Sequence, residues 1–129
     1  MSIYLDSSAL VKLLVVEPET TALQSYLRLH DSTRVTCELA RVEVVRAVGQ
    51  AGSQVEAEAS RLLSGLHLMR LSRDLLEHAA RLGPRLLRSL DAIHLAAALR
   101  VPDLDTVITY DSRMFDAAKG LGLTSTAPA

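Results

Sequence analysis

Ile3-Tyr4-Leu5-Asp6-Ser7-Ser8-Ala9-Leu10 is a short apolar run that stops at a carboxylate, takes two hydroxyl residues and turns at once into an apolar pattern of helical spacing. The run reads as a buried strand ending at Asp6, and the pattern as a helix over 9–16. In an open α/β sheet, ligands bind in the crevice outside the carboxyl ends of the strands. Asp6 is therefore expected at the working edge of the sheet. It equally suits the N-cap of the helix that follows.

Outward from this stretch the chain repeats the same alternation. Pro18 suits the start of a second helix reaching about residue 30. A β-type run at 34–36 precedes a helix over 38–50, and Gly52-Ser53 separates it from another ending before Gly65. Residues 67–71 read as a third strand. Ser72 caps a helix stopped by Gly83-Pro84, and Ser89 caps one that ends before Pro102. Residues 106–109 read as a fourth strand and 112–119 as a last helix, with 120–123 leading toward an edge strand. Strands alternating with helices predict a three-layer α/β/α domain around a central, mostly parallel sheet of four to five strands. The domain is expected over 1–124, with 125–129 frayed.

The composition fits this architecture. Of 129 residues, 49% are apolar and 3% aromatic, which suits aliphatic helices on a small sheet and excludes a disordered chain. No apolar run is long enough to span a bilayer, and no basic region followed by a hydrophobic stretch marks a signal peptide. A cytoplasmic protein without membrane association is expected. Cys37 is the single cysteine, so neither an internal disulfide nor a cysteine-based zinc site is available; it reads as a small buried apolar residue. The net charge of −1 does not resemble a phosphate-binding protein, but with four acids neutralised by metal the remainder carries +3.

Four acids are the candidates for chemistry. Asp6 and Asp111 each follow a predicted strand, and each has helix capping as its alternative role. Asp91 lies in a first helical turn, where the dipole favours negative charge, and shares a face with Leu95 and Ala98. Glu43 lies on the edge of an apolar stripe of Ala40, Val44, Ala47 and Ala51, where a solvated glutamate is out of place. An acid leaning inward needs a partner: a metal, or Lys12 or an arginine in a structural ion pair. Clustered carboxylates stay ionised only with a cation, and an all-oxygen donor set selects Mg²⁺ or Mn²⁺. The chemistry of such a set is hydrolysis of a phosphodiester by water.

The motifs around these acids are Asp6-Ser7-Ser8-Ala9-Leu10-Val11-Lys12, Ala40-Arg41-Val42-Glu43-Val44-Val45-Arg46-Ala47, Leu90-Asp91-Ala92-Ile93-His94-Leu95-Ala96-Ala97-Ala98 and Thr109-Tyr110-Asp111-Ser112-Arg113. Their order and spacing resemble the PIN-domain ribonucleases, most closely the VapC-type toxins of bacterial toxin–antitoxin pairs. The resemblance spans nearly the whole chain and fills all four acidic positions. It implies that Asp6, Glu43, Asp91 and Asp111 are catalytic and hold one or two Mg²⁺ or Mn²⁺ ions. It implies that Ser7 helps position a metal-bound water or the phosphate, and Thr109 more weakly so, Ser7 having helix-start hydrogen bonding as its alternative. It further implies an RNA substrate, a homodimer, and a cognate antitoxin that inserts a segment, with an arginine, into the acidic groove.

His94, three residues after Asp91, can face the same way, but Mg²⁺ rarely takes histidine. Asp116 is poorly spaced to share a helix face with Asp111 and reads as solvated. Lys12, Arg41, Arg46, Arg85, Arg88 and Arg113 flank the acids and are candidates for RNA phosphates. A phosphoacceptor domain lacks the required acid ending the third strand, and an Asp-x-Asp phosphatase lacks its second acid because Ser8 stands there. The remaining alternative is an idle module that only pairs with an antitoxin.

Overall fold

Alternate side chains of the first strand enter two different cores. In β1 (Ser2–Leu5), Ile3 and Leu5 face one side of the sheet and Tyr4 the other, as the two-residue period of a strand requires, and all three are completely buried. The computed structural model describes residues 1–84 and 87–129. Arg85, one of the flanking basic residues, lies outside them.

Following β1 come α1 (Ser7–Lys12), α2 (Thr20–Leu29), β2 (Thr33–Cys37), α3 (Ala40–Val48), α4 (Ser53–Ser64) and β3 (His67–Met69). The second half holds α5 (Arg73–Arg81), α6 (Ser89–Leu99), β4 (Leu104–Ile108), α7 (Ser112–Gly120) and β5 (Ser125–Thr126). The five strands lie in the order β3-β2-β1-β4-β5, and every pairing is parallel. Helices α1 to α4 pack against Ile3, Leu5 and Ile108, through residues such as Leu10, Leu23, Val44 and Leu63. Helices α5 to α7 pack against Tyr4, Val35 and Val107, through Leu75, Leu95 and Met114. The predicted α/β/α layering is what forms, with its fifth strand at the edge.

The chain moves outward from β1 to β2 and β3, then returns to add β4 on the other side. The switch point of the topology therefore lies between β1 and β4, and the crevice outside their carboxyl ends is where such a sheet binds ligands. Asp6 directly follows β1, and Thr109 directly follows β4.

Several boundaries differ from expectation for local reasons. The first helix ends at Lys12 rather than 16: Leu13 and Leu14 donate to Leu10 and Val11 in a tightened turn, and the Thr20 hydroxyl donates to the Lys12 carbonyl at 2.8 Å. That same hydroxyl accepts from Glu17 N–H, so the second helix begins at Thr20 and not at Pro18. Ser72 caps α5 as expected, accepting from Leu75 N–H at 3.2 Å. Ser89 does not cap α6; it is the first helical residue, after Arg88 at the cap position. On α3 the buried stripe is Ala40, Val44 and Val48, while Ala47 is exposed and Ala51 lies beyond the helix.

The C-terminal segment also departs from expectation. Residues 125–129, expected to fray, supply β5: Ser125 and Thr126 pair with Val107 and Ile108, and the Tyr110 hydroxyl donates to the Pro128 carbonyl at 2.8 Å. Backbone pairing along an open sheet edge holds a polar tail that has little hydrophobicity of its own.

Candidate active site

Asp6 begins the site. Its backbone is extended, and its Oδ1 accepts from Ala9 N–H at 3.0 Å, so it is the N-cap of α1. Oδ1 also accepts from the Ser8 hydroxyl at 2.6 Å, and Oδ2 from the Thr109 hydroxyl at 2.6 Å. Only 4% of Asp6 is exposed. Every one of these partners is neutral, and among the described residues no lysine or arginine pairs with it. Burial raises its pKa, against the lowering effect of the Ser8, Thr109 and Ala9 hydrogen bonds and of nearby His94.

Thr109 joins the first acid to the fourth. Its hydroxyl donates to Asp6 and accepts from Asp111 N–H at 3.1 Å. Asp111 in turn caps α7, its Oδ1 accepting from Arg113 and Met114 N–H at 2.9 and 3.1 Å. Ser8 makes a second link between the two strand ends: it donates to Asp6 and accepts from Tyr110 N–H at 2.9 Å. For Asp6 and Asp111 the helix-capping alternative is realised, each carboxylate accepting from the first turn of the helix it precedes. Because asparagine caps as well as aspartate, Asp111→Asn is expected to leave the unfolding free energy nearly unchanged, whereas Asp111→Ala lowers it by about 1 kcal/mol. Urea denaturation of the two variants measures the difference.

Glu43 leans inward from α3, as its place beside the stripe predicts. Its Oε1 accepts from the Ser7 hydroxyl at 2.6 Å and lies 2.6 Å from His94 Nε2. Burial pushes the Glu43 carboxyl up, but the hydrogen bonds from His94 and Ser7 outweigh it and hold the pKa below its ordinary value. His94 is 2% exposed, and its Nδ1 lies 2.7 Å from the Tyr4 hydroxyl. Burial, the largest influence on the imidazole, pulls it down; hydrogen bonds to Cys37 and Glu43 and the charges nearby carry it up to about 10.

Asp91 and Asp111 are joined by a cation from the chain itself. Arg88 Nε is 3.0 Å from Asp91 Oδ2, and Arg88 Nη2 is 2.5 Å from Asp111 Oδ2. The guanidinium also helps to lower the Glu43 pKa through space. The four acids thus converge from four elements on the switch-point crevice, but in separately held sets. As they stand, no three His, Cys, Asp or Glu side chains among the described residues are grouped to close around an ion.

The sequence reading weighted some neighbours differently. Lys12, offered as a partner for an inward acid or for RNA, is committed to Glu19 and Glu17 at 2.9 and 3.4 Å, with its ammonium 4.8 Å from the Tyr110 ring centre. Arg41 pairs with Glu38, and Arg46 and Arg113 are exposed. Asp116 is exposed, as its spacing predicts, and Cys37 is completely buried. Ser8 and Tyr4 had no assigned place in the site, Arg88 was offered only for RNA phosphates, and His94 was weighed only as a poor metal ligand. Only His94 carried a signal: a histidine on the buried face of Leu95 and Ala98 needs partners for both ring nitrogens.

Comparison with known proteins identifies the family. The family model described as PIN domain matches residues 3–120. Over 128 residues, covering 98% of each chain, the sequence is 50% identical to Ribonuclease VapC46 of Mycobacterium tuberculosis (strain ATCC 25618 / H37Rv). The fold is similar to that of Mycobacterium tuberculosis VapC20, described as a Sarcin-Ricin loop cleaving toxin, with a TM-score of 0.77, 16% identity and coverage of 98% and 99% of the two chains. It is also similar to a chain of a toxin–antitoxin complex from Klebsiella pneumoniae, with a TM-score of 0.71, 20% identity and 98% coverage of both. With a family model matching most of its length and sequence similarity over the full chain, the chain belongs to the PIN-domain family and, within it, to the VapC group.

Proposed function

We propose that this protein is a metal-dependent endoribonuclease that hydrolyses RNA phosphodiester bonds and acts as the toxin of a toxin–antitoxin pair. The observation that carries the reading is the convergence of Asp6, Glu43, Asp91 and Asp111 at the switch point, with Asp6 buried among neutral donors only. A buried carboxylate without a cationic partner is costly, and a divalent ion offsets that cost.

The donor set fits a hard cation. All four side chains offer oxygen, and the single positive charge of Arg88, shared between Asp91 and Asp111, offsets only part of their charge. Glu43 Oε2 and Asp91 Oδ1 have no hydrogen-bond partner among the described residues. Asp6, Glu43, Asp91 and Asp111 would hold Mg²⁺ or Mn²⁺, which when bound supplies an activated water and stabilises charge on the leaving oxygen. The chain's own groups prepare that site. Ser7 fixes Glu43, and Thr109 fixes Asp6 while anchoring the backbone that leads into Asp111. With a cation held there, Arg88 would no longer be needed to offset Asp91 and Asp111, and its guanidinium would be available to an RNA phosphate.

A cognate antitoxin is the proposed partner, in keeping with the Klebsiella pneumoniae complex and with the ease with which an arginine lodges between Asp91 and Asp111. Exposed Val42 and Val45 on α3 and Leu29 on α2 suit a homodimer contact. Among the described residues no helix is long and apolar enough to cross a membrane, and we place the activity in the cytoplasm.

Cleavage of total RNA by antitoxin-free protein tests the reading. Discrete fragments are expected with Mg²⁺ or Mn²⁺, and none with EDTA or with Asp91→Asn. Fragments of equal yield in EDTA would remove the metal from the mechanism. Intact RNA under every condition would favour an idle module that only binds its antitoxin.

A further inference from the structure

His94 is buried in the middle of the site, and the chemistry proposed above does not use it. Both of its ring nitrogens are engaged: Nδ1 lies 2.7 Å from the Tyr4 hydroxyl and Nε2 lies 2.6 Å from Glu43 Oε1. No ring nitrogen is left for a cation, so the histidine is not itself a metal ligand. A carboxylate only accepts, so Nε2 must carry the hydrogen and donate to Glu43. This direction holds for the neutral ring, in which Nδ1 accepts from Tyr4, and for the charged ring alike.

The other end of the contact is equally constrained. Glu43 Oε1 takes two donors, Ser7 Oγ and His94 Nε2, both at 2.6 Å, while Oε2 takes none among the described residues. A carboxylate with one oxygen doubly satisfied and the other bare has a defined orientation, and the bare oxygen is the one that remains for a ligand. The support behind His94 is rigid. Tyr4 is completely buried in β1, the central strand, and its ring meets the imidazole edge-on with centroids 5.8 Å apart. Glu43 itself stands on a nine-residue helix at the margin of the other core, and without this contact only the Ser7 hydroxyl would hold its carboxylate.

We propose that His94, braced by Tyr4, is a positioning residue that clamps Oε1 of Glu43 and so presents Oε2 to the divalent cation. This role rests on Glu43 being a ligand, as proposed above. It places a three-part chain, sheet tyrosine to helix histidine to helix glutamate, behind one ligand. Outer partners of this kind typically change metal affinity or activity by about 10- to 100-fold.

The test uses the full chain without antitoxin, and two variants that separate packing from hydrogen bonding. His94→Leu fills the space without a donor; His94→Gln keeps an N–H near the position of Nε2. Mn²⁺ affinity is read from the free-ion electron paramagnetic resonance signal, and the Glu43 carboxyl ¹³C resonance is recorded without metal. His94→Leu is expected to shift the Glu43 resonance, weaken Mn²⁺ binding about 10- to 100-fold and lower kcat far more than it raises KM. His94→Gln is expected to recover most of the affinity, which a purely space-filling role would not produce. A folded His94→Leu protein with wild-type Mn²⁺ affinity and an unmoved Glu43 resonance overturns the proposal. Should His94→Leu fail to fold, Tyr4→Phe decides: weaker Mn²⁺ binding by several-fold supports the brace, and wild-type binding overturns it. A wild-type chain that binds no Mn²⁺ sinks the metal reading instead. The Glu43 resonance tells the two failures apart, because it reports the clamp without any metal.

Discussion

Asp6→Asn is expected to reduce metal-dependent RNA cleavage by roughly three orders of magnitude or more, while the metal-free protein melts at a higher temperature than wild type. The loss follows from removing a ligand charge that nothing nearby replaces; changes one step further from a metal already cost about 10- to 100-fold. The gain in stability follows from where Asp6 sits. Its pKa is raised in the folded state, chiefly by burial, above the ordinary value of 3.8. The folded protein therefore holds that proton more tightly than the unfolded chain does. Any stability linked to this group is present at low pH and is lost as pH rises through the folded pKa, so at neutral pH the ionised Asp6 destabilises the fold.

Asparagine carries no such penalty and keeps the local contacts. Its Oδ1 still accepts from Ala9 N–H and the Ser8 hydroxyl, and its amide donates to Thr109 Oγ1, which has lone pairs to accept it. Saturating divalent metal should reverse the ranking. At 100 times Kd it stabilises wild type by about 2.7 kcal/mol, and it stabilises the variant much less. Calorimetric melting at pH 7 with EDTA and then with Mg²⁺, beside a cleavage assay, checks all three parts. An Asp6→Asn protein as active as wild type would remove Asp6 from the ligand set.

The second large effect is on stability. Leu95→Ala should lower the unfolding free energy by about 2–5 kcal/mol, a large share of the roughly 5–15 kcal/mol typical of a domain. Leu95 is completely buried in α6, in the cluster that also holds Tyr4, Val107 and Met114. Its neighbours on the same helix are Ala96, Ala97 and Ala98, all buried and too short to reach into the space it would leave. The cavity therefore collapses poorly, which favours the upper part of the range. The consequence extends to the site, because α6 also carries Asp91 and His94. Urea unfolding is the direct measurement. A change below about 1 kcal/mol would mean that the helix repacks against the sheet, and the spacing of Asp91 from Asp111 would then have to be remeasured.

The limits of the sequence reading follow from specific residues. Hydrophobic periodicity placed the helices and the first four strands because a buried strand face and a helical stripe leave marks in the linear order. Boundaries moved where one side chain competed for backbone groups: Thr20 ended α1 early by bonding the Lys12 carbonyl, and no pattern of apolar residues records such a bond. The tail was misjudged for a similar reason. Ser125 and Thr126 are held by pairing with β4, a property of the partner's open edge and not of their own hydrophobicity. At the site, the four acids stood out because three follow or open elements and one leans inward from an apolar stripe.

From its linear order alone the chain determined its layering, the place of Asp6 at the carboxyl end of β1, and the inward lean of Glu43 beside an apolar stripe. Each of these is encoded locally, in periodicity and in the placement of a charge beside apolar neighbours. Only the tertiary structure decided how the four acids are held: Arg88 between Asp91 and Asp111, Thr109 between Asp6 and the Asp111 backbone, and Tyr4 and Ser7 meeting at His94 and Glu43. The physical reason is range. Hydrogen bonds and ion pairs act over about 3 Å, and here they join residues as far apart in sequence as Asp6 and Thr109, which only the parallel pairing of β1 with β4 brings together.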